Sequence, residues 1–355
     1  MRTLEWDYAT NELKMIDQRR LPGELVIVSL RTCQEVAEAI RNMTIRGAPA
    51  IGAAAAFGLA LAARESKAPN AAGLLADLES AAQALRASRP TAVNLAWAVD
   101  RMLRNAYCVT GSLEDEHSAI LFEAQRIADE DVEINKRMAA HGAALIDDGD
   151  TIIHHCNTGA LATVDWGTAL GVIRMAHEQG KRLHVLVDET RPRLQGARLT
   201  AWELEQYGIR YEIISDNMAG YFLRSGQAQK VFFGADRIAA NGDVANKIGT
   251  YLKALAAHDN GVPFYVALPG PTIDWSLADG RAIPIEERRP EEVTCLTGET
   301  AAGEVVTVRV TPAGSPAANP AFDVTPARLV TGLITECGVC AASRAGLRSL
   351  YPERG

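Results

Sequence analysis

The spacing of apolar positions divides this chain in two. From Thr32 to about Gly142 apolar residues recur three and four positions apart. That period predicts helices over residues 34–43, the alanine-rich run after Pro49, and residues 71–88, 92–107 and 114–144, with prolines falling between the segments. Ahead of them Leu4, Trp6 and Tyr8 alternate with polar residues, and a Thr10-Asn11-Glu12 turn leads into an apolar stretch at 13–16. This is a β-hairpin pattern. After Asp147-Asp148-Gly149-Asp150 the rhythm changes. Apolar runs of strand length appear at 151–154, 183–187, 210–214, 231–233 and 264–268, separated by helical stretches clearest at 165–179, 197–207 and 246–257. Strand and helix in alternation imply a parallel sheet with right-handed crossovers. The expected fold is therefore α/β. A smaller, mostly helical N-terminal domain with a short β-hairpin (1–147) precedes a Rossmann-like parallel-sheet domain (148–355). The Pro- and Ala-rich stretch at 312–326 is expected to be an ordered loop.

Composition narrows the class. The chain has 355 residues, 48% hydrophobic, enough to bury one large core or two modest ones. A net charge of −8 without a lysine/arginine block argues against a nucleic-acid partner, though a local arginine pocket for a small anion remains compatible with it. Residues 1–7 carry charge rather than a signal-peptide core, and the alanine-rich run at 48–63 is too short to span a membrane. A cytoplasmic protein with no membrane partner is expected. Six scattered cysteines do not form a disulfide framework in a chain this long. Cys337 and Cys340 read as two thiols on a buried helical turn rather than a zinc site, since no second pair accompanies them. No G-x-G-x-x-G or Walker string follows any predicted strand, which disfavours a nucleotide cofactor.

Candidate chemistry gathers at the predicted strand ends. They carry His155-Cys156-Asn157-Thr158-Gly159, then Asp188 to Gly196, then Ser215-Asp216-Asn217-Met218, then Gly234-Ala235-Asp236-Arg237. In an open α/β sheet the carboxyl edge is where ligands bind. A free thiol, Cys156, and an acid, Asp236, in one crevice suit proton transfer on a small molecule. In the helical part, Arg46-Gly47-Ala48-Pro49 sets an arginine and small residues before a helix with Pro in its first turn, an arrangement suited to an anion. Arg89 is a second such charge, and Asn246-Lys247 is read as opening a helix. Each has a structural reading too. Arg46 suits a surface ion pair, Cys156 an inert buried thiol, Asp236 a helix cap or the partner of Arg237, and Gln195 and Asn246 ordinary turn residues. His154 and His155 are neighbours on a strand, face opposite ways and cannot chelate one metal together; they are read as core or supporting groups.

Taken together, the strings at 46–52, 155–159, 188–196, 215–220, 234–236 and 241–251 resemble the methylthioribose-1-phosphate isomerase family. These are methionine-salvage enzymes grouped with the regulatory subunits of a eukaryotic translation-initiation exchange factor. The resemblance runs from about Trp6 to Val339. It implies Asp236 as proton donor and Cys156 as the second reacting group. It further implies Arg46, Gly47, Ala48, Arg89, Gln195, Asn246 and Lys247 as substrate contacts, a homodimer, a sugar-phosphate substrate, and no metal or nucleotide cofactor. A proton-donating aspartic acid needs an apolar wall at neutral pH, which Ala235, Phe232 and Phe233 are expected to supply. Two alternatives share this pattern: an isomerase of ribose 1,5-bisphosphate or a 5-deoxyribose 1-phosphate, and a non-catalytic sugar-phosphate-binding subunit. A pure binder needs neither Cys156 nor Asp236.

Overall fold

The computed structural model describes residues 2–354, which fall into two units. One takes in the chain up to Arg20, Leu25–Lys136 and Gly159–Gly167; the other takes in Leu21–Glu24, Arg137–Thr158 and the chain from Thr168.

The first unit opens with the antiparallel strands β1 (Leu4–Asp7) and β2 (Glu12–Ile16), the expected hairpin. A third strand, β3 (Ile27–Leu30), pairs with β2; it was missed although the β-branched run at 25–30 is of strand length. Five helices follow: α1 (Cys33–Arg41), α2 (Ala48–Glu65), α3 (Ala71–Ser88), α4 (Val93–Cys108) and α5 (Leu113–Ala143). Local chemistry starts them where the pattern does. Thr32 and Glu35 form a reciprocal capping box on α1, and the Asn70 side chain accepts from the Gly73 N–H to cap α3. Helix α2 is buried without a break from Ala50 to Ala63 and packs against α1, α3 and α4, its alanines letting the neighbours close in.

The second unit alternates as expected. In chain order come β4 (Thr151–His154), α6 (Ala169–Glu178), β5 (His184–Asp188), α7 (Ala201–Tyr207), β6 (Arg210–Ile214), α8 (Ala219–Arg224) and β7 (Lys230–Phe233). Then come β8 (Arg237–Ala239), β9 (Val244–Lys247), α9 (Thr250–Asp259), β10 (Phe264–Ala267), β11 (Ile273–Asp274) and α10 (Glu291–Thr294). The chain ends with β12 (Cys295–Glu299), β13 (Val305–Arg309), β14 (Phe322–Thr325), β15 (Gly332–Thr335), β16 (Gly338–Cys340) and α11 (Arg344–Leu350). The main sheet runs β16-β15-β10-β7-β4-β5-β6, parallel except for the edge strand β16. Its chain order is that of a doubly wound Rossmann sheet, with the reversal between β4 and β7. Ile153, Leu186, Val231, Phe233, Phe264 and Val266 carry its core.

Three local readings change. Asn246 and Lys247 end strand β9, paired with Asp323 and Phe322, and the helix begins only at Thr250 after the left-handed Gly249. Phe322–Thr325 is therefore a strand rather than loop. Cys337 and Cys340 lie on the β15–β16 hairpin rather than a helical turn, Cys337 exposed at its turn. Strands β9 and β14 take their identity from each other across a long stretch of chain, whereas β16 is set by its local hairpin with β15.

Candidate active site

Cys156 follows β4 and Asp236 follows β7, the two neighbouring strands between which the sheet reverses. Ligands bind at this switch point in open α/β sheets, where adjacent loops part. Cys156 is buried and adopts left-handed backbone at φ +62°. Its N–H donates to Thr190 Oγ1 at 2.8 Å, and its carbonyl accepts from Thr200 Oγ1 at 2.7 Å. Thr200 ends the π-helical turn Gly196–Thr200 that leads into α7, a widened turn of the kind often found at functional sites. Asp236 is half-buried, and its backbone N–H donates to Ala245 O at 2.9 Å. Arg237 pairs with Asp274 at 3.2 Å. The rings of Phe233 and Phe232 pack against His155 and Tyr265, inside the sheet.

Beneath Cys156 lies a buried cluster. His155 Nε2 is 3.0 Å from Ile248 O, and a carbonyl can only accept, so Nε2 carries a hydrogen. Nδ1 faces Asp188 Oδ2 at 2.9 Å. Burial, reinforced by the Lys253 ammonium, holds the imidazole well below its ordinary value, and burial pushes the Asp188 carboxyl well above its usual range, so both shifts favour the neutral forms of the pair. Lys253 Nζ lies 3.4 Å from Asp188 Oδ2 and 3.7 Å from Asp216 Oδ1. His155, Asp188 and Asp216 bring their ligand atoms within 4.8 Å of one another, a spacing that suits a metal. Here a protein ammonium stands among those donors and already balances them. His154 points elsewhere, with Nδ1 donating to Phe232 O at 2.8 Å and Nε2 accepting from Thr158 Oγ1 at 3.2 Å.

The other expected contacts have the following surroundings. Gln195 is buried, and its Oε1 has no hydrogen-bond partner among the described residues. Asn246 Nδ2 donates to Thr250 Oγ1 at 2.9 Å. Lys247 Nζ donates to Ala321 O at 2.8 Å and lies 4.5 Å from the Phe322 ring centre. In the helical unit, Gly47 caps α2 with φ +94°, Ala48 begins the helix, and Arg46 precedes it half-buried. Arg89 ends α3, its Nη1 3.6 Å from Met43 Sδ, which places it near the chain leading to Arg46.

A sequence model of the Initiation factor 2 subunit family matches residues 44–342. A methylthioribose-1-phosphate isomerase of Rhodospirillum rubrum is 54% identical over 354 residues, covering 96% of this chain and 89% of its own. That of Gluconobacter oxydans is 51% identical, covering 97% and 94%. The solved 5-methylthioribose 1-phosphate isomerase of Pyrococcus horikoshii OT3 superposes with a TM-score of 0.88 at 45% identity, covering 99% of this chain and 96% of that one. The chain belongs to the methylthioribose-1-phosphate isomerases of the initiation factor 2 subunit family. A structure from A. fulgidus described as translation initiation factor eIF-2B, subunit delta, is also similar, with a TM-score of 0.84 at 43% identity and 99% coverage of both chains.

This member of the isomerase family has the Rossmann-like fold expected of it, and no described helix is long and apolar enough to cross a membrane. Sequence reasoning missed the Asp188–Asp216–Lys253 cluster and the clamp made by Thr190 and Thr200. Asp188 and Asp216 fall in the polar strings at strand ends, which was a signal. Lys253 had none, since a lysine within a short helix reads as solvent-facing until the packing is known.

Proposed function

We infer that the chain converts 5-methylthioribose 1-phosphate to 5-methylthioribulose 1-phosphate, an aldose–ketose isomerisation of methionine salvage. The observation that carries this reading is a thiol and a carboxyl flanking the switch point, in a chain about half identical to relatives named for that reaction. Phosphate on C1 blocks the free aldehyde, so the ring opens with the phosphate attached. In this reading Asp236 protonates the ring oxygen as the C1–O bond breaks, and Cys156, as thiolate, takes the C2 proton. The C2–H electron pair becomes the C1=C2 bond of an enol phosphate. Cys156 then returns its proton to C1 while Asp236 recovers one from the C2 hydroxyl, leaving the ketose. Both residues finish as they began.

Arg46 and Arg89 would serve the phosphate, whose oxygens match planar guanidinium donors. Gly47 and Ala48 would offer backbone, and Gln195, Asn246 and Lys247 the sugar hydroxyls. A homodimer in the cytoplasm completes the reading, with sedimentation of the purified protein as the check on the dimer.

The test is turnover of purified protein on methylthioribose 1-phosphate beside ribose 1,5-bisphosphate, repeated with Cys156→Ser and Asp236→Asn. Ketose formation from the methylthio sugar, lost in both variants, is expected. Activity on the bisphosphate alone would reassign the substrate, and binding without turnover would mark a sugar-phosphate sensor. In D2O, deuterium at C1 of the product supports the proton route; its complete absence over many turnovers would favour direct hydride transfer.

A further inference from the structure

We propose that Thr190 and the buried Asp216–Lys253–Asp188–His155 cluster are positioning residues that fix the backbone of Cys156 and thereby aim its thiol. The proposal deepens the isomerase reading and rests on it.

Left-handed backbone is costly for a residue with a side chain and persists where neighbours impose it. At Cys156 two hydroxyls do so, Thr190 Oγ1 accepting its N–H and Thr200 Oγ1 donating to its carbonyl. Thr190 is itself left-handed at φ +65°, a severe conformation for a β-branched residue. It is pinned from both sides: its N–H donates to Asp216 Oδ1 at 2.8 Å, and its hydroxyl donates to Asp188 O at 3.0 Å. Asp216 also accepts the Arg191 N–H at 2.7 Å.

Asp216 thus begins two routes to the same dipeptide. One passes along the backbone through Thr190 to Cys156. The other passes through the Lys253 ammonium to the Asp188 carboxyl and on to the His155 ring. His155 reaches across to Ile248 O, and Asp323 fixes the next turn by accepting the Gly249 and Tyr251 N–H groups at 2.7 and 3.1 Å. The loops after β4, β5 and β6 and the start of α9 are therefore bound to one another by direct hydrogen bonds and by the Lys253 ammonium between Asp188 and Asp216. Both routes close on residues 155 and 156.

Removing the hydroxyl of Thr190 leaves the Cys156 N–H without its acceptor and frees the thiol to drift. Displacement of a reacting group by about 1 Å costs on the order of 100-fold in rate. The experiment measures kcat and KM on methylthioribose 1-phosphate for wild type, Cys156→Ser, Thr190→Val, Thr190→Ser, Lys253→Met and Lys253→Arg, with Tm for each. Thr190→Val is expected to lower kcat by about 30–100-fold with KM changed by less than about threefold, and Thr190→Ser, which keeps the hydroxyl, to recover most of that loss. Lys253→Met should follow Thr190→Val, with Lys253→Arg partly restored. Where Lys253→Met fails to fold, the Thr190 pair decides alone. Wild-type kcat in Thr190→Val, or equal impairment of Thr190→Val and Thr190→Ser, overturns the proposal. If Cys156→Ser is inactive while Thr190→Val is active, only positioning fails; if wild type does not turn over, the isomerase reading fails and takes this proposal with it.

Discussion

Gly47→Ala measures how tightly the chain must approach itself where α2 begins. Gly47 has φ +94°, and a methyl group built there would lie 2.4 Å from Ala162 O and 2.5 Å from Ala162 Cα. Ala162 cannot retreat. Its segment is anchored by Thr3 Oγ1 on Ala160 O and Gln18 Nε2 on Leu161 O, both at 2.6 Å, and by the Val164 N–H on Asp131 Oδ2 at 2.7 Å. Gly149 is a matched control, with φ +93° and nothing within 4 Å of the added carbon. Left-handed backbone costs an alanine about 1–2 kcal/mol, and glycine's extra freedom when unfolded offsets about 0.5–1 kcal/mol of that, so the expected loss for Gly149→Ala is about 0–1.5 kcal/mol. Gly47→Ala carries the same cost and adds overpacking against backbone, about 1–3 kcal/mol more. The total is about 1–4.5 kcal/mol, and each kcal/mol shifts Tm by about 1–2 °C in a chain this long. Thermal unfolding followed by circular dichroism should show Gly47→Ala losing clearly more than Gly149→Ala. Equal losses would refute the close approach and leave only the backbone term.

The remaining predictions concern pH and phosphate. Burial raises the Asp131 carboxyl to about 7, so between an unfolded value of about 4 and 7 the folded chain keeps a proton that the unfolded chain has released. Stability from this group is present below pH 4 and lost as pH rises through 7; urea unfolding of Asp131→Asn from pH 5 to 8 should show a flatter profile than wild type. His154 runs the other way: burial holds it to about 4, against about 6.5 in the unfolded chain. Its contribution is present above pH 6.5 and lost as pH falls toward 4, and His154→Gln should remove that acid slope. Arg46→Ala and Arg89→Ala should each raise KM by about 10–100-fold, the worth of a charge-assisted hydrogen bond, and weaken inhibition by inorganic phosphate; unchanged KM would remove them from the phosphate site.

What the sequence disclosed follows the range of the interactions. Residues 71–88 and 210–214 could be read almost to the residue, because periodicity and flanking turns are local properties. Cys156 and Asp236 could be placed at strand ends for the same reason. That their strands are neighbours could not, since the order of β4 and β7 depends on pairing between segments far apart in the chain. Asn246 and Lys247 were misread as helical because the strand they belong to is defined by Asp323 and Phe322 opposite them. Lys253 shows the sharper limit. Its burial beside Asp188 and Asp216 runs against the ordinary preference of lysine for water, and only the assembled cluster reveals why it is tolerated.

Strain is concentrated where the chemistry is proposed. Cys156, Thr190 and Leu194 all have left-handed backbone, at φ +62°, +65° and +58°, in the two loops after β4 and β5. They are interlocked, since Leu194 donates its N–H to Thr190 O at 2.7 Å and Thr190 accepts that of Cys156. Loops constrained in this way are set before any ligand arrives, which favours preorganisation over ordering on binding. The strain is separable from the thiol by comparing Cys156→Ala with Cys156→Gly. Both delete the sulfur and its packing, but only alanine keeps the penalty of a left-handed side-chain residue, about 1–2 kcal/mol. Glycine's extra freedom when unfolded offsets about 0.5–1 kcal/mol of that. Cys156→Gly should therefore be more stable than Cys156→Ala by up to about 1.5 kcal/mol, the reverse of their order in ordinary helix or strand, with turnover lost in both. A lower Tm for Cys156→Gly would mean that the backbone at this position relaxes once the thiol is gone, and that the clamp does not store strain.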